Sequence, residues 1–442
     1  MNVIEQIFSI LNRSNLNYCV VSNPNGLPEH CESDIDLIYS GASEKEICLL
    51  VRSIEEETGC ICLQKVITGY EEYSFMLAQE GKNKRITKIQ LDFFQHLYHK
   101  DFGVIMTGDR ILAMRKIERC FYVPADIDEL YYTVLRRSAK GHFDTSHCQL
   151  VKMLNDQIGE QVRTDEKKKF PAIWNVVEKI VQGDKLEQAV LDTCVRESSN
   201  KMTLINRIKI GAYRILKYYP RRFLQPLGVS IAFLAPDGAG KTTIIDSINH
   251  DSFYKDFFSS IDNKYFRPKL LKNPGHYNAL NPKEESTTNS NPHNVVLNNP
   301  VKSFVRFMFY NVDFIFGSLL RIYPQKIKRH LIIFDRYYYD YFADMKRYQY
   351  NLPEYIPAFF SWSIPKPDIV FILEAPADVL YQRKQELTIE EINEVNSRFR
   401  KTSKYFGNSH FINVDRSVED ITREIRMIVI KYLTERENRR RA

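Results

Sequence analysis

A glycine-rich stretch, residues 235–243, sets the strongest limit on the architecture of this chain. Its sequence is Ala-Pro-Asp-Gly-Ala-Gly-Lys-Thr-Thr. An apolar run, residues 229–234, precedes it, and a segment with Ile244 and Ile245 on one helical face follows it. This order predicts a buried strand, a tight loop and a helix. Backbone N–H groups of such a loop point at bound phosphate, and the helix N-terminus attracts negative charge. The stretch therefore predicts a phosphate-binding loop.

The residue types in the loop point to a nucleotide with its metal ion. Lys241 is expected to bridge the phosphates, and the Thr242 hydroxyl is placed to bind Mg²⁺. The first loop position holds Ala235 where the usual pattern has glycine. The alternative is a glycine turn before an ordinary helix. It does not explain why the strand, the Gly-x-Gly-Lys-Thr loop and the helix all match the pattern of a phosphate-binding loop. We therefore predict that ATP and Mg²⁺ bind at Asp237, Gly238, Ala239, Gly240, Lys241, Thr242 and Thr243.

A second motif follows the apolar run at residues 331–334, which ends in Asp335, Arg336 and Tyr337. A carboxylate at the carboxyl end of a strand faces the nucleotide site in open α/β sheets. Phosphoryl transfer needs a group that orients the acceptor or its metal, and cations that neutralise the moving phosphoryl group. Asp335 is the candidate for the first role and for a Mg²⁺ ligand, and Arg336 is the candidate for the second.

A third apolar run, residues 368–373, ends in Glu374 and is followed by a polar helical pattern that contains Arg383. This pattern is typical of a mobile lid that brings cations over the phosphates. We therefore include Arg383 with Lys241, Asp335 and Arg336 among the candidate catalytic residues.

With these motifs in this order, residues 227–442 resemble the thymidylate kinase-like family of P-loop kinases. The resemblance rests on residues 237–243, on Asp335-Arg336-Tyr337, on the strand ending at Glu374, and on Arg383 followed by Arg398 and Arg400. It implies a parallel-sheet kinase domain. It also implies that Asp237 lies near the sugar of the acceptor, Arg336 near the phosphate of the acceptor, and Arg383 in the lid.

The chain departs from that family where the acceptor binds. The segment 273–300 is rich in Asn and Pro, and the Arg-Glu-Pro-Gly-Gly loop of the housekeeping enzymes is missing. Arg267 and Arg347 are candidates for contact with the acceptor, and each is equally compatible with a solvated surface position. The closest resemblance is to a divergent branch associated with bacterial surface-polysaccharide genes. The predicted acceptor is therefore a nucleotide or a sugar-containing molecule, and dTMP is not assumed.

The first half of the chain carries a different pattern of carboxylates. Asp34 and Asp36 stand two residues apart in an apolar run, and Asp92 lies in a second alternating run. Side chains at positions i and i+2 of a strand point to the same face. Carboxylates gathered on one face can share divalent metal ions. We therefore predict that Asp34, Asp36 and Asp92 lie together and bind Mg²⁺.

This layout resembles a minimal nucleotidyltransferase domain over residues 1–125. The Gly-Ser or Gly-Gly pair of that family is absent, and residues 22–26 stand in its place as Ser-Asn-Pro-Asn-Gly. Two alternatives stay open: a fold that kept its carboxylates but lost transferase activity, and purely structural roles in which Asp34 caps a turn and Asp36 is exposed.

Between these motifs lie a helical and a basic segment. Residues 126–200 show helical apolar spacing and predict a helical subdomain, and residues 201–226 form a basic linker. Within the linker, residues 207–222 form a basic amphipathic segment. The segment is compatible with a linker helix packed between domains or with a peripheral contact to an anionic membrane surface.

With 442 residues, 44% hydrophobic and 26% charged, the chain has the composition of a globular protein that can bury at least two cores. The motifs of its two halves, and the families they resemble, predict the α/β class. The net charge of +7 does not by itself indicate nucleic acid as a partner, and we expect none. The first ten residues lack the pattern of a secretory signal, and the apolar segment 301–322 is interrupted by four charges. A cytoplasmic location, in one alternative peripheral to the membrane, is expected, and the oligomeric state stays open.

Three functions are compatible with these motifs. The first is an ATP- and Mg²⁺-dependent kinase with an attached transferase-like domain. The second is a nucleotidyltransferase that moves a nucleoside monophosphate and uses the P-loop half for control. The third is a non-catalytic, nucleotide-sensing scaffold. Lys241, Asp335 and Arg336 argue against the third function, and the altered Gly-Ser region argues against the second.

Overall fold

The computed structural model describes residues 2–21, 26–31, 34–81, 85–99, 101–199, 210–272 and 299–441, with only the backbone of Lys346. Their contacts form two compact units: Met1–Pro220 with Leu433–Ala442, and Arg221–Tyr432. The sequence analysis had placed boundaries at residues 125, 200 and 226, whereas the contacts group the first 220 residues together. Both units are of the α/β class.

The first unit is built on a mixed five-stranded sheet in the order β1-β2-β5-β4-β3. Only β2 and β5 are parallel; the other neighbouring pairs are antiparallel. This confirms the predicted mixed sheet. The strands are β1 (Asn17–Val21), β2 (Ile35–Ser40), β3 (Ile61–Gly69), β4 (Glu72–Glu80) and β5 (Ile86–Phe94).

One face of this sheet packs on helices Val3–Arg13 and Glu44–Thr58. Each helix begins with a capping box, formed by Asn2 with Glu5 and by Ser43 with Glu46, which satisfies two backbone N–H groups that would otherwise lack partners. Two short ribbons follow the sheet, β6 (His96–His99) with β7 (Gly103–Thr107), and β8 (Lys116–Glu118) with β9 (Phe121–Val123).

The helical extension predicted from residue 126 onward is present and belongs to the same compact unit as the sheet. Leu130, Val134, Ile173 and Val177 lie in its apolar core, as their spacing indicated. The helices are Gly108–Ala113, Asp126–Lys140, Thr145–Gln157, Glu160–Lys169, Pro171–Gln182 and Gln188–Ser198.

Residues 201–209 of the predicted linker, including the first part of the basic segment, lie outside the described residues. The described part of the segment is helical, with a π-helical turn at Arg214–Tyr218 followed by Tyr219–Leu224. Ile215, Leu216 and Tyr219 are exposed.

The second unit is built on a parallel five-stranded sheet in the order β11-β12-β10-β13-β14. This confirms the parallel sheet. Its three central strands are mostly apolar and buried, with polar residues mainly at their ends, as is typical of a parallel sheet covered by helices on both faces. The strands are β10 (Val229–Leu234), β11 (Ser260–Tyr265), β12 (His330–Asp335), β13 (Ile369–Glu374) and β14 (Ser409–Asn413).

Most helices of the second unit connect consecutive strands of the parallel sheet, and the last one follows β14. They are Lys241–His250, Ser252–Phe257, Pro300–Gly317, Tyr323–Ile327, Asp340–Ala343, Tyr355–Phe360, Ala377–Arg383, Ile389–Thr402 and the first part of Val418–Arg441, and a π-helical turn at Ser318–Ile322 joins Pro300–Gly317 to Tyr323–Ile327. The predicted loop from residue 273 to 298 lies outside the described residues.

By length and composition alone, Pro300–Ile327 is one candidate membrane span among the described residues, and 44% of its most apolar window is buried inside the protein. Phe307 and Phe314 of this helix lie in the apolar core that also contains strand residues of the parallel sheet. The sequence analysis interpreted this segment as a helix of the kinase-like half, and in the structure it connects to β12 of the parallel sheet.

Candidate active site

The glycine-rich loop lies at the carboxyl end of β10, in the middle of the parallel sheet. The chain leaves β10 toward β11 on one side, and it leaves β13 toward β14 on the other. Ligands of open α/β sheets bind where neighbouring connections diverge in this way. Gly238 and Gly240 have φ of 84° and 77°, a conformation that favours glycine. The loop predicted from sequence therefore occupies the position where nucleotides bind in folds of this type.

Gly238 is also required by its neighbours. A Cβ at this position would lie 2.8 Å from the carbonyl oxygen of Leu380, which belongs to helix Ala377–Arg383. Any larger residue would push the loop away from this helix.

Lys241 is the first residue of helix Lys241–His250, and its side chain is buried. The Nζ atom donates to the carbonyl oxygens of Ala235 and Pro236, at 3.2 and 3.3 Å. Burial and the Arg336 guanidinium together lower the pKa of Lys241 to about 8, against the opposing effect of Asp237, Asp335 and Asp340. A phosphate group beside this ammonium would offset the cost of burying its charge.

Asp335 ends β12, and its Oδ1 atom is buried without a hydrogen-bond partner among the described residues. A buried carboxylate oxygen with no partner costs free energy unless a cation binds it. The charge of Asp335 acts on Lys241, while the Thr242 side chain is exposed at the start of the next helix. These two oxygen donors fit the preferences of Mg²⁺, which takes one or two protein ligands beside phosphate oxygens.

Arg336 follows Asp335 with a φ of 71°, which non-glycine residues rarely adopt. Its backbone N–H donates to the carbonyl oxygen of Phe233. Its buried guanidinium pairs with Asp237 at 2.7 Å, with Asp340 at 3.0 Å and with Asp344 at 3.7 Å. The net effect of these carboxylates raises the pKa of Arg336 although burial, the largest single influence, acts to lower it.

Arg347 completes this cluster. Its Nε atom donates to Asp344 at 2.9 Å, and its Nη2 atom donates to Asp237. Asp237 of the glycine loop is thereby held between two arginines, Arg336 and Arg347. The sequence analysis named Arg347 as a candidate and assigned no role to Asp340, Asp344 or Tyr348, although Tyr348 donates to Asp340 at 3.0 Å. The sequence signal that could have predicted this cluster is the four-residue spacing of positions 336, 340, 344 and 348.

The second candidate acceptor residue, Arg267, lies elsewhere. Its guanidinium is buried and pairs with Asp313 of helix Pro300–Gly317 at 2.6 Å. The carboxylate of Asp313 also accepts from the backbone N–H groups of Lys269 and Leu271. In this structure Arg267 holds the segment after β11 against the long helix.

The predicted lid arginines belong to the helices that follow β13. Arg383 ends helix Ala377–Arg383 and donates to the carbonyl oxygen of Val414 at 3.1 Å, just after β14. Arg398 pairs with Glu394 on its own helix, and Arg400 pairs with Glu374 at the end of β13. In this arrangement none of the three contacts the glycine loop through a described hydrogen bond.

The first unit brings Asp34, Asp36 and Asp92 to one face of its sheet. Asp36 and Asp92 are register partners on the parallel strands β2 and β5. The Gln90 amide nitrogen donates to Asp34 at 2.9 Å and to both oxygens of Asp92 at 3.1 Å. Burial raises the pKa of Asp92, and the charges of Asp36 and Asp34 add to this shift.

Two basic side chains lie beside these carboxylates. Arg136 donates to Asp36 at 2.7 Å, and Lys88 lies 3.5 Å from Asp34. No group of three or more His, Cys, Asp or Glu side chains with metal-binding geometry occurs in the described parts of the chain. The three aspartates therefore lie together as predicted, with the Gln90 amide between Asp34 and Asp92, and the Mg²⁺ site stays a prediction. Residues 22–25 of the predicted loop lie outside the described residues.

Compared with models of known protein families and with curated proteins, the chain shows no match.

Proposed function

We propose that this protein is an ATP- and Mg²⁺-dependent phosphotransferase, similar to thymidylate kinase-like P-loop kinases, that acts on a nucleotide or a sugar-containing acceptor. The observation that carries this proposal is that one site contains both the buried Lys241 ammonium of a glycine loop and the buried Oδ1 atom of Asp335, which has no hydrogen-bond partner among the described residues. The Lys241 ammonium can bind phosphate, and the Asp335 carboxylate can bind a metal ion. Both lie at the carboxyl end of the parallel sheet, where neighbouring strand connections leave in opposite directions.

Each residue has a task in this proposal. The loop amides and the first turn of helix Lys241–His250 bind the β-phosphate, and Lys241 moves its donors from loop carbonyls to phosphate oxygens. Thr242 and Asp335 would hold Mg²⁺, which supplies charge neutralisation between the phosphates. Asp335 also orients the hydroxyl or phosphate oxygen of the acceptor. These groups act mainly by positioning and by electrostatics, which is what phosphoryl transfer requires.

Arg336, Arg347 and Asp237 form the acceptor side of this site. Asp237 accepts from both arginines, so its carboxylate fixes two guanidinium groups beside the loop. Charge-assisted pairs of this kind hold donors rigidly, and rigid donors stabilise charge that develops during transfer.

The deciding experiment incubates the full chain with γ-labelled or α-labelled ATP, Mg²⁺ and a panel of nucleotide and sugar acceptors. A kinase transfers the γ label, whereas a nucleotidyltransferase transfers the α label. We expect γ transfer that Lys241→Ala lowers by about 10²-fold or more. Unchanged turnover and unchanged calorimetric ATP affinity in that variant would show that the site is wrongly assigned.

Asp335→Asn tests the acidic group separately because it keeps the shape and removes the charge. We expect turnover to fall by about 10²-fold, with a higher Mg²⁺ requirement. The matched control is Asp378→Asn, an exposed aspartate on helix Ala377–Arg383. Equal turnover in the two variants would remove Asp335 from the mechanism.

A second candidate function, nucleotidyl transfer by the first unit, has one observation in its favour: Asp34, Asp36 and Asp92 share a sheet face. The Gln90 and Arg136 contacts argue for a transferase-like fold without this activity. Transfer of the α label that Asp36→Asn abolishes and Lys241→Ala preserves would favour the transferase. Binding of ATP with no labelled product would favour the nucleotide-sensing scaffold.

A further inference from the structure

The long helical segment Pro300–Ile327 is apolar on two opposite faces. Its inner face packs into the core of the second unit through Phe307, Tyr310, Phe314 and Ile322. Its outer face carries large apolar side chains at positions that recur every three to four residues, so they form one stripe. Their exposed fractions are 73% for Val301, 43% for Phe304, 63% for Val305, 40% for Val312, 51% for Phe316, 56% for Leu319 and 61% for Leu320.

Two further apolar residues extend this stripe at its C-terminal end. Phe223 and Leu224 are exposed, and the Phe223 ring lies 5.2 Å from the ring of Tyr323. The Tyr323 hydroxyl donates to the carbonyl oxygen of Phe223, which fixes the two segments side by side. We call these nine residues, 223, 224, 301, 304, 305, 312, 316, 319 and 320, the apolar face. Large exposed apolar side chains gathered in this way are typical of an interaction site.

The charged groups beside the apolar face are basic. Lys302 and Arg321 are exposed on the long helix, and Arg321 donates to the carbonyl oxygen of Lys269. Burial and the positive charges of Arg321 and Lys269 lower the pKa of Lys264, against the opposing effect of Asp262. The single acidic residue between positions 299 and 328, Asp313, is buried and paired with Arg267. The exposed charges of the long helix beside the apolar face, Lys302 and Arg321, are thus basic, which favours a negatively charged surface.

We propose that the apolar face binds the surface of an anionic lipid bilayer, with the helix lying in the plane of the interface. Large apolar side chains next to lysine and arginine are the pattern of interfacial helices. The segment does not span the bilayer, because its inner face is part of the core around the parallel sheet. A second copy of this chain fits less well: a two-fold contact would set this basic border, including Lys302 and Arg321, against itself.

This surface differs from the basic segment at residues 207–222, for which the sequence offered a membrane contact as one alternative. It also does not depend on the proposed phosphotransferase activity, since none of the nine residues belongs to the glycine loop or the Arg336 cluster.

The test is co-sedimentation of the full chain with vesicles of phosphatidylcholine alone or mixed with phosphatidylglycerol. We expect at least about tenfold tighter binding to the anionic vesicles, weakened by salt. The variant F316E/L319E/L320E should lose about tenfold or more of this binding, and Lys302→Glu should lose about fivefold or more. The control variant I389E/M427E changes two apolar side chains, exposed by 39% and 45%, elsewhere in the second unit, and it should bind as the wild type does.

Three results would overturn the proposal. One is a wild-type chain that stays in the supernatant with both vesicle types. Another is an equal loss of binding in the control variant. The third is a dimer by light scattering that F316E/L319E/L320E converts to a monomer without changing vesicle binding, which would make a second copy the occupant. Circular dichroism checks the fold of each variant, and the single variant Leu320→Glu serves if the triple variant does not fold.

Discussion

Lys241 carries a positive charge that the folded chain stabilises poorly. It is buried, and its Nζ atom contacts backbone carbonyl oxygens of the loop. A nucleotide triphosphate would supply the missing negative charge and raise the pKa of Lys241 from its value of about 8. Binding should therefore be linked to proton uptake near and above pH 8.

This linkage gives a prediction about pH. Below pH 8 Lys241 is already protonated, so ATP affinity should change little with pH. Above pH 8 the free protein loses that proton, and affinity should fall by up to about tenfold per pH unit. Titration calorimetry at pH 7, 8 and 9 in buffers of different ionisation enthalpy measures both effects. In Lys241→Met affinity should be lower and independent of pH in this range; an unchanged pH profile in that variant would assign the effect to another group.

Glu72 is a second residue whose charge is poorly stabilised in the fold. Burial and, to a smaller extent, the charge of Asp92 raise its pKa from 4.5 to about 7, against the opposing effect of Arg214. Between pH 4.5 and 7 the folded chain keeps a proton that the unfolded chain has lost. The contribution of Glu72 to the free energy of unfolding is therefore fully present below pH 4.5, and it is lost progressively as pH rises from 4.5 to 7.

Glu72→Gln should remove this pH dependence. We expect the variant to be more stable than the wild type at pH 8, by about 3 kcal/mol at most, and to differ little at pH 4.5. Denaturant unfolding of the full chain at both pH values measures the difference. A variant that is less stable than the wild type at pH 8 would show that the Glu72 charge is well compensated, by Arg214 or otherwise.

At the level of single residues, the sequence predicted only part of each site. Lys241, Asp335 and Arg336 stand in short contiguous motifs, so local order alone located them. The alternation around Asp34, Asp36 and Asp92 predicted a shared sheet face. Asp344, Gln90 and Arg136 could not be assigned, because a side chain that compensates charge is chosen by distance in space.

Among the elements, the last helix, Val418–Arg441, shows how tertiary contacts change the role of a charge. The sequence presents its end as a basic tail, yet the Arg441 side chain is 1% exposed and pairs with Glu55 at 2.7 Å. The nearby Glu437 carboxylate accepts the backbone N–H of Lys65 on the edge strand β3. This end of the helix therefore covers a strand edge that would otherwise be open to pairing.

Arg441→Ala should accordingly destabilise the first unit by about 2 kcal/mol or more, because Glu55 would keep a partly buried charge without its partner. Thermal or denaturant unfolding measures the change. The matched control on the same helix is Arg423→Ala, whose partner Asp420 and own side chain are each 44% exposed, and we expect a change within about 0.5 kcal/mol. Equal effects of the two substitutions would contradict a structural role for Arg441.

The long helix illustrates the limits of an apolar pattern. Its charges led the sequence analysis to place it within the kinase-like half. The pattern did not indicate that Asp313 turns inward to Arg267, nor that the opposite face stays exposed. Apolar periodicity shows where side chains gather but not which of two apolar faces meets the sheet.

For the whole molecule, the two compact units lead to a prediction about independent folding. All five strands of the parallel sheet and the glycine loop lie within residues 221–432. A fragment of these residues should unfold cooperatively and bind Mg²⁺-ATP, and Lys241→Ala in the fragment should abolish the binding. Calorimetry and circular dichroism measure both. A fragment without a cooperative transition would mean that residues 1–220 or 433–442 complete its core.

By itself, the sequence determined the α/β class, the mixed and the parallel sheet, and the glycine loop at the end of a buried strand. These depend on contiguous patterns of apolar residues and glycines, which act through local geometry. Tertiary structure alone decided that residues 126–199 join the first sheet, that residues 433–441 return to it, and that Asp237 is held between Arg336 and Arg347. Such contacts join residues up to 386 positions apart, as Glu55 and Arg441 are, and depend on burial and charge that no local pattern encodes.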